Sequence, residues 1–338
     1  MNKSVNHQRK AYSTYSPIKP RRFFTTRLMS LFMVMIVGVL IFYYLFSNYR
    51  SIEEAYHLVE MDAQVVSELH QDIAGGIEQN EAAIANREPL TFLIVGIDYG
   101  HIGRLDEQRA DVLMALSLNP STGESAQVNL SRLLKLEGES LTLSETYSEG
   151  GIESVNQAVQ NMLQVPINFT VIVDLSESRE LIEALGDNAV DIQENFTLEN
   201  QPLVAGNHVL LNGRESILFM HRTEMDSDWT NGQRQTQIVT AMGQNIFEHV
   251  SNWLGLLQAS DYFVAAEGVV ETDLTFKSFL DLLGGNYIAA FEEVTVIDLV
   301  GTLQEVDGEE ENTTLIYERL NQSQLERVQQ RLQEILSQ

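Results

Sequence analysis

Residues 28–47, LMSLFMVMIVGVLIFYYLFS, run twenty positions without a charge, and this stretch constrains the chain more than any other. As a helix rising about 1.5 Å per residue it crosses a hydrocarbon core of about 30 Å. The run therefore predicts a membrane span. A cleaved signal peptide is the competing reading, but its apolar region is usually only about 7 to 15 residues long. No small-x-small cleavage pattern follows Phe46 either, so an uncleaved anchor is expected. Residues 1–30 carry seven basic side chains and no acidic one, whereas Glu53 and Glu54 soon follow the span. By the positive-inside rule, residues 1–27 form a basic cytoplasmic head and everything from Arg50 onward lies outside. Tyr43, Tyr44 and Tyr49 suit the outer interface.

Charge then limits the partners of the exported part. The formal net charge is -27, and beyond position 50 there are 13 basic against 48 acidic residues, a balance of -35. Such a surface repels a phosphate backbone, so nucleic acid is excluded as a partner despite the basic head. There is no cysteine in the 338 residues, which rules out thiol chemistry and a disulfide scaffold. Stability must come from a buried core, and the length is sufficient for one.

Residues 48–88 are rich in Glu, Gln, Ala and His with apolar residues at helical intervals, broken at Gly75-Gly76 and ending before Pro89. They read as a helical stalk or linker, with a disordered tether as the alternative. From position 89 to 338 strands and helices alternate. TFLIVGID (91–98) is a buried strand, and residues 111–130 are two strands joined at Asn119-Pro120-Ser121-Thr122-Gly123. A helix follows at 153–164, a strand at 169–175, and helices at 178–185, 212–222 and 230–250. The tail supplies a helix at 276–283, a strand at 294–301 and a last helix at 322–336. Helices interleaved with apolar strands predict a three-layer α/β/α domain around one mixed sheet.

There is no phosphate-cradling glycine loop, HExxH or GxSxG. What remains is charge at strand ends and at one loop-to-helix junction. Arg109 and Asp111 precede an apolar strand, Ser131-Arg132 ends the next, and HRTEMDSDWTNGQRQTQ (221–237) opens the long helix. An arginine fork binds phosphate bidentately, and a carboxylate beside it can hold a divalent cation. Surface salt bridges are the plainer reading of the same residues. His221, alone among apolar neighbours, reads as a packed or capping residue or as a ligand.

The ordered series FLIVGID, RADVLMALSLNPSTG, VNLSR, TYSEGG, LNGRESILFMHR, DSDWTNGQRQTQIVTAM and VVETDLT resembles the LytR-CpsA-Psr family of bacterial cell-envelope proteins. The resemblance implies transfer of a glycopolymer, such as teichoic acid or capsular polysaccharide, from a polyprenyl-pyrophosphate carrier to peptidoglycan in a Gram-positive envelope, with magnesium at the pyrophosphate. Carried over by position, Asp111 would hold the cation. Arg109, Arg132 and Arg234 with Gln235 would bind pyrophosphate oxygens, and Arg132 and Asp111 would be catalytic. Asp98 matches an aspartate of the first motif. The chain also departs from the pattern. Leu133 stands where a second metal carboxylate is expected, Gly100, Thr142 and Asn231 replace basic residues, and His221 and Thr223 replace two arginines that Arg222 could offset. Two functions follow: a cell-wall glycopolymer transferase, or a catalytically weakened homologue that binds the lipid-linked polymer as a scaffold or regulator. A transcription regulator is a third class, opposed by the topology and the exported charge.

Overall fold

Alternation of side chains along the strands Leu90–Asp98, Arg109–Leu118 and Ser125–Leu130 builds the centre of the molecule, because successive residues of a strand bury against opposite helical layers. The computed structural model describes residues 22–70, 76–98, 109–135, 140–198, 201–220, 228–251, 253–291, 293–307 and 314–337. The chain divides into two units, Met1–Tyr49 and Arg50–Gln338.

Helix α1 spans Arg22–Tyr56. It covers the whole of the expected span, 28–47, and Met33–Tyr56 is long and apolar enough to cross a membrane. From Met33 to Tyr49 its large apolar side chains are bare, with Phe42 70% exposed.

The remaining elements follow in chain order as α2 (Ala63–Leu69), α3 (Gly76–Asn86), β1 (Leu90–Asp98), β2 (Arg109–Leu118), β3 (Ser125–Leu130), β4 (Leu134–Lys135), α4 (Leu143–Leu163), β5 (Phe169–Asp174) and α5 (Arg179–Leu185). Then come β6 (Asn188–Asp191), β7 (Phe196–Leu198), β8 (Gln201–Leu203), β9 (His208–Leu211), α6 (Gly213–Met220), α7 (Asp228–Val250), α8 (Trp253–Leu256) and α9 (Ala259–Ala265). The chain closes with β10 (Val270–Thr272), α10 (Phe276–Gly284), α11 (Tyr287–Ala290), β11 (Thr295–Leu299), β12 (Thr302–Asp307), β13 (Thr314–Arg319) and α12 (Gln322–Leu336).

The main sheet has the order β10-β5-β1-β2-β3-β11. β1 pairs parallel with β5 and β3 with β11, while the other pairs are antiparallel, so the sheet is mixed as expected. On one face Leu113, Ala115, Val128 and Leu130 pack against α4 and α12. On the other, Val112 and Met114 pack against α5, α6 and α7. Three layers result. Helix α12 contributes Leu325, Val328, Leu332 and Ile335, a stripe at steps of three and four residues, each side chain stabilising by about 1.5–3 kcal/mol when fully buried.

Two sequence expectations change. Helix α4 starts at Leu143, ahead of the expected 153, because a first helical piece precedes a kink at Gly150 and Gly151. Gly151 has φ +63° there, a turn that a glycine adopts without a Cβ penalty. Residues 48–88 do contain helices, but from Arg50 they form part of the large unit and do not stand off as a stalk. Ile52, Tyr56 and Val59 bury in the core, with the Tyr56 ring packed on Phe263 of α9 and on Phe276 and Phe279 of α10. Val59 and Met61 bond the backbone of Thr272, and the Tyr56 hydroxyl donates to the Leu274 carbonyl at 2.7 Å. The physical reason is the sheet edge: β10 is an outer strand, and this segment satisfies its free backbone groups.

Candidate functional site

The site begins with an irregularity in the sheet. Gly96 faces Val112 across β1 and β2, but the next residue, Ile97, faces Ala110, so Asp111 is the extra residue of a β-bulge. A Cβ on Gly96 would come within 2.8 Å of Val112 Cβ and 3.1 Å of Leu175 Cδ2, which is why the strand carries glycine at this point. Arg132 follows the end of β3 in a tight turn closed by Leu134 N donating to Ser131 O. Its Nη1 donates to Asp111 Oδ1. The pair is almost sealed from solvent, with side-chain exposures of 6% for Arg132 and 0% for Asp111. Burying two charges costs desolvation that only a well-formed hydrogen bond offsets, so such a pair fixes one guanidinium orientation more than it adds stability.

The first turns of α7 close over this pair. A Cβ on Gly232 would sit 3.9 Å from Arg132 Cδ and Nε and from the Asp111 carbonyl oxygen. Arg234 and Gln235, two residues further on, are buried, and the Arg234 guanidinium lies 5.8 Å from the centre of the Phe219 ring. Among the described residues Gln235 Oε1 and Ser144 Oγ are buried without a hydrogen bond. A cleft of about 480 Å³ opens from Asp111 and Arg132 between α7 and the β3–β11 side of the sheet. A second cavity of about 20 Å³ holds Arg234 and Phe219 and shares Asp191, Gln193, Gln233 and Gln237 with the cleft.

Of the residues singled out in the sequence, Asp111 and Arg132 are thus in direct contact and Arg234 adjoins their cleft. Arg109 stands two residues before Asp111 and faces Asp98 across β1 and β2. His221, Arg222, Thr223 and Gly100 lie outside the described residues. Thr142 has a structural task where the family pattern has a basic residue. Its hydroxyl accepts from Glu145 N and the Glu145 carboxylate accepts from Thr142 N, a capping box at the start of α4. Leu133 is half-buried and lines the cleft.

The donor set does not fit a preformed magnesium site. Asp111 gives Oδ1 to Arg132, the neighbouring position is the apolar Leu133, and among the described residues no three His, Asp or Glu side chains converge on a metal. Magnesium is usually held by one or two carboxylates plus phosphate oxygens.

Sequence reasoning missed the polar side of the cleft. Asn129, Asp298, Gln233, Thr236 and Gln237 line it. A signal was present: Gln127 and Asn129 in SAQVNL and Asp298 in VTVIDLV put polar groups at period two on the sheet face opposite Val128 and Leu130.

A profile of the LytR_cpsA_psr family matches residues 51–334. A polyisoprenyl-teichoic acid–peptidoglycan teichoic acid transferase, TagU of Bacillus subtilis (strain 168), is 26% identical over 289 residues, covering 83% of this chain and 90% of that protein. The Enterococcus faecalis protein of the same name is 26% identical over 268 residues, covering 77% and 84%. Among solved structures, B. subtilis TagV superposes with a TM-score of 0.57 at 21% identity, over 74% of this chain and 98% of that one. TagT bound to LIIa-WTA superposes with a TM-score of 0.57 at 20% identity, over 75% and 92%. The structural likenesses establish the fold.

Proposed function

This chain belongs to the LytR-CpsA-Psr family, and from that premise we propose that it is a membrane-anchored cell-wall glycopolymer transferase acting outside the cell. The donor is a polymer on a polyprenyl-pyrophosphate carrier and the acceptor a peptidoglycan hydroxyl. TagU relatives are named for teichoic acid transfer to peptidoglycan, which supports both ends of the reaction. The acceptor oxygen bonds to the phosphorus of the glycosyl phosphate, the pyrophosphate bridge breaks, prenyl phosphate leaves with the bridging electron pair, and the hydroxyl proton passes to solvent.

The observation that carries this reading is the buried Arg132–Asp111 pair at the end of a cleft, with Arg234 beside it. Phosphoryl transfer depends on positioning and on neutralising charge spread over the phosphate oxygens. A guanidinium already held by Asp111 needs no reorganisation as that charge develops. Arg132 contacts the pyrophosphate, Arg234 and Arg109 add positive charge at the same end, and Asp111 positions Arg132.

Binding of geranylgeranyl pyrophosphate to the detergent-solubilised full chain tests this site. Arg132→Ala removes a charge-assisted phosphate contact worth about 2–4 kcal/mol, so affinity should fall by roughly 30-fold or more. Unchanged affinity would remove Arg132 from the site. The scaffold reading rests on one specific observation, that Thr142 and Leu133 serve a helix cap and an apolar wall where the family pattern places charge. It requires the natural chain to bind the lipid and turn none over.

A further inference from the structure

The cleft has two chemically unlike ends. At the Arg132 end sits a guanidinium with its carboxylate partner. Away from it Asn129 and Asp298 line the floor, backed by Gln127 and Thr240 behind the lining through a chain of hydrogen bonds. Gln127 Nε2 donates to Thr240 Oγ1 at 3.2 Å and to Asn129 Oδ1 at 2.8 Å, and Asn129 Nδ2 donates to Asp298 Oδ1 at 2.8 Å. Among the described residues no donor reaches Asp298 Oδ2. Gln233 and Gln237 line the opposite wall on α7, and Asp191 stands at the rim, its backbone N–H held by Gln237 Oε1 at 3.0 Å.

Charge decides what this arm can hold. A polymer phosphate placed there would meet Asp191 and Asp298 in a domain whose balance is already -35. Like charges about 4 Å apart repel, and more strongly near a protein surface than in bulk water because the effective dielectric is lower there. A sugar hydroxyl, by contrast, donates to a carboxylate and exchanges hydrogen bonds with amides at no such cost. The floor is fixed in advance by its own hydrogen bonds, which lowers the ordering cost of binding.

We propose that the arm bounded by Asn129, Asp298 and Gln237 is a subsite for an uncharged sugar of the acceptor glycan, segregated by charge from the anionic donor at Arg132. The inference rests on the transferase reading for the word acceptor, but the sugar site itself can be measured without turnover.

The test uses the detergent-solubilised full chain and three probes: an N-acetylglucosamine tetrasaccharide, a glycerol-phosphate oligomer and geranylgeranyl pyrophosphate. The natural chain should bind the tetrasaccharide. Asp298→Ala should weaken it at least tenfold while pyrophosphate affinity stays within twofold, and Arg132→Ala should do the reverse. Retained pyrophosphate binding by Asp298→Ala also shows that the variant is folded, and Asp298→Lys should turn the preference towards the glycerol-phosphate oligomer. No tetrasaccharide binding by the natural chain, equal binding by Asp298→Ala, or displacement of the sugar by the glycerol-phosphate oligomer would each overturn the assignment. A chain that binds the sugar through Asp298 yet transfers nothing would sink the transferase reading and leave the subsite standing.

Discussion

Leu133 is the single residue at which the chain departs most sharply from what its chemistry would require of a metal enzyme. It lines the cleft beside Asp111, whose Oδ1 is already taken by Arg132. One carboxylate in that state leaves a divalent cation mostly hydrated. Leu133→Asp should therefore raise magnesium affinity of the ligand-free protein by roughly tenfold, about 1.4 kcal/mol, in titration calorimetry. Magnesium binding of the natural chain as tight as that of the variant would refute this account of the donor set. At this scale the sequence was partly legible. Arg109, Asp111, Arg132 and Arg234 stand out by their places at strand ends and a helix start together with the family resemblance, although surface salt bridges fit the same pattern. The capping box of Thr142 was legible in principle from Thr142-x-x-Glu145, yet residue types alone do not reveal which side chains meet.

Among the elements, long apolar periodicity was the reliable signal. Helix α12 was bounded from sequence at 322–336, and it spans those residues, because its four buried side chains recur on one stripe. Leu332 is fully buried against α4 and the sheet, so Leu332→Ala should lower unfolding stability by about 2–5 kcal/mol in guanidinium titration. A loss below about 1 kcal/mol would mean that α12 is not part of the core layer. Three features escaped sequence reading. The bulge at Asp111 depends on cross-strand register, which strand propensity does not encode. The short pairs β6–β9 and β7–β8 have three or four residues per strand, too few for periodicity to show. The docking of residues 50–70 onto β10 is a long-range contact, and a helical stalk has the same local pattern.

For the whole molecule, one apolar helix and one acidic α/β unit set where the chemistry takes place. The seven basic residues before the span predict that protease added to intact, wall-stripped cells digests the chain after about residue 50 and spares the head. Protection of the large unit would reverse the topology and place the cleft away from any wall acceptor. The central claim, that this site moves a glycosyl phosphate from a lipid pyrophosphate to peptidoglycan despite its missing charges, is tested most directly by turnover. The full chain in liposomes, given a radiolabelled lipid-linked teichoic acid precursor and peptidoglycan, should release prenyl phosphate and deposit label on the peptidoglycan, with Arg132→Ala lowering the rate by about 30-fold to 1000-fold. Tight binding of the precursor by the natural chain with no label transferred would contradict the claim and leave a scaffold in place of an enzyme.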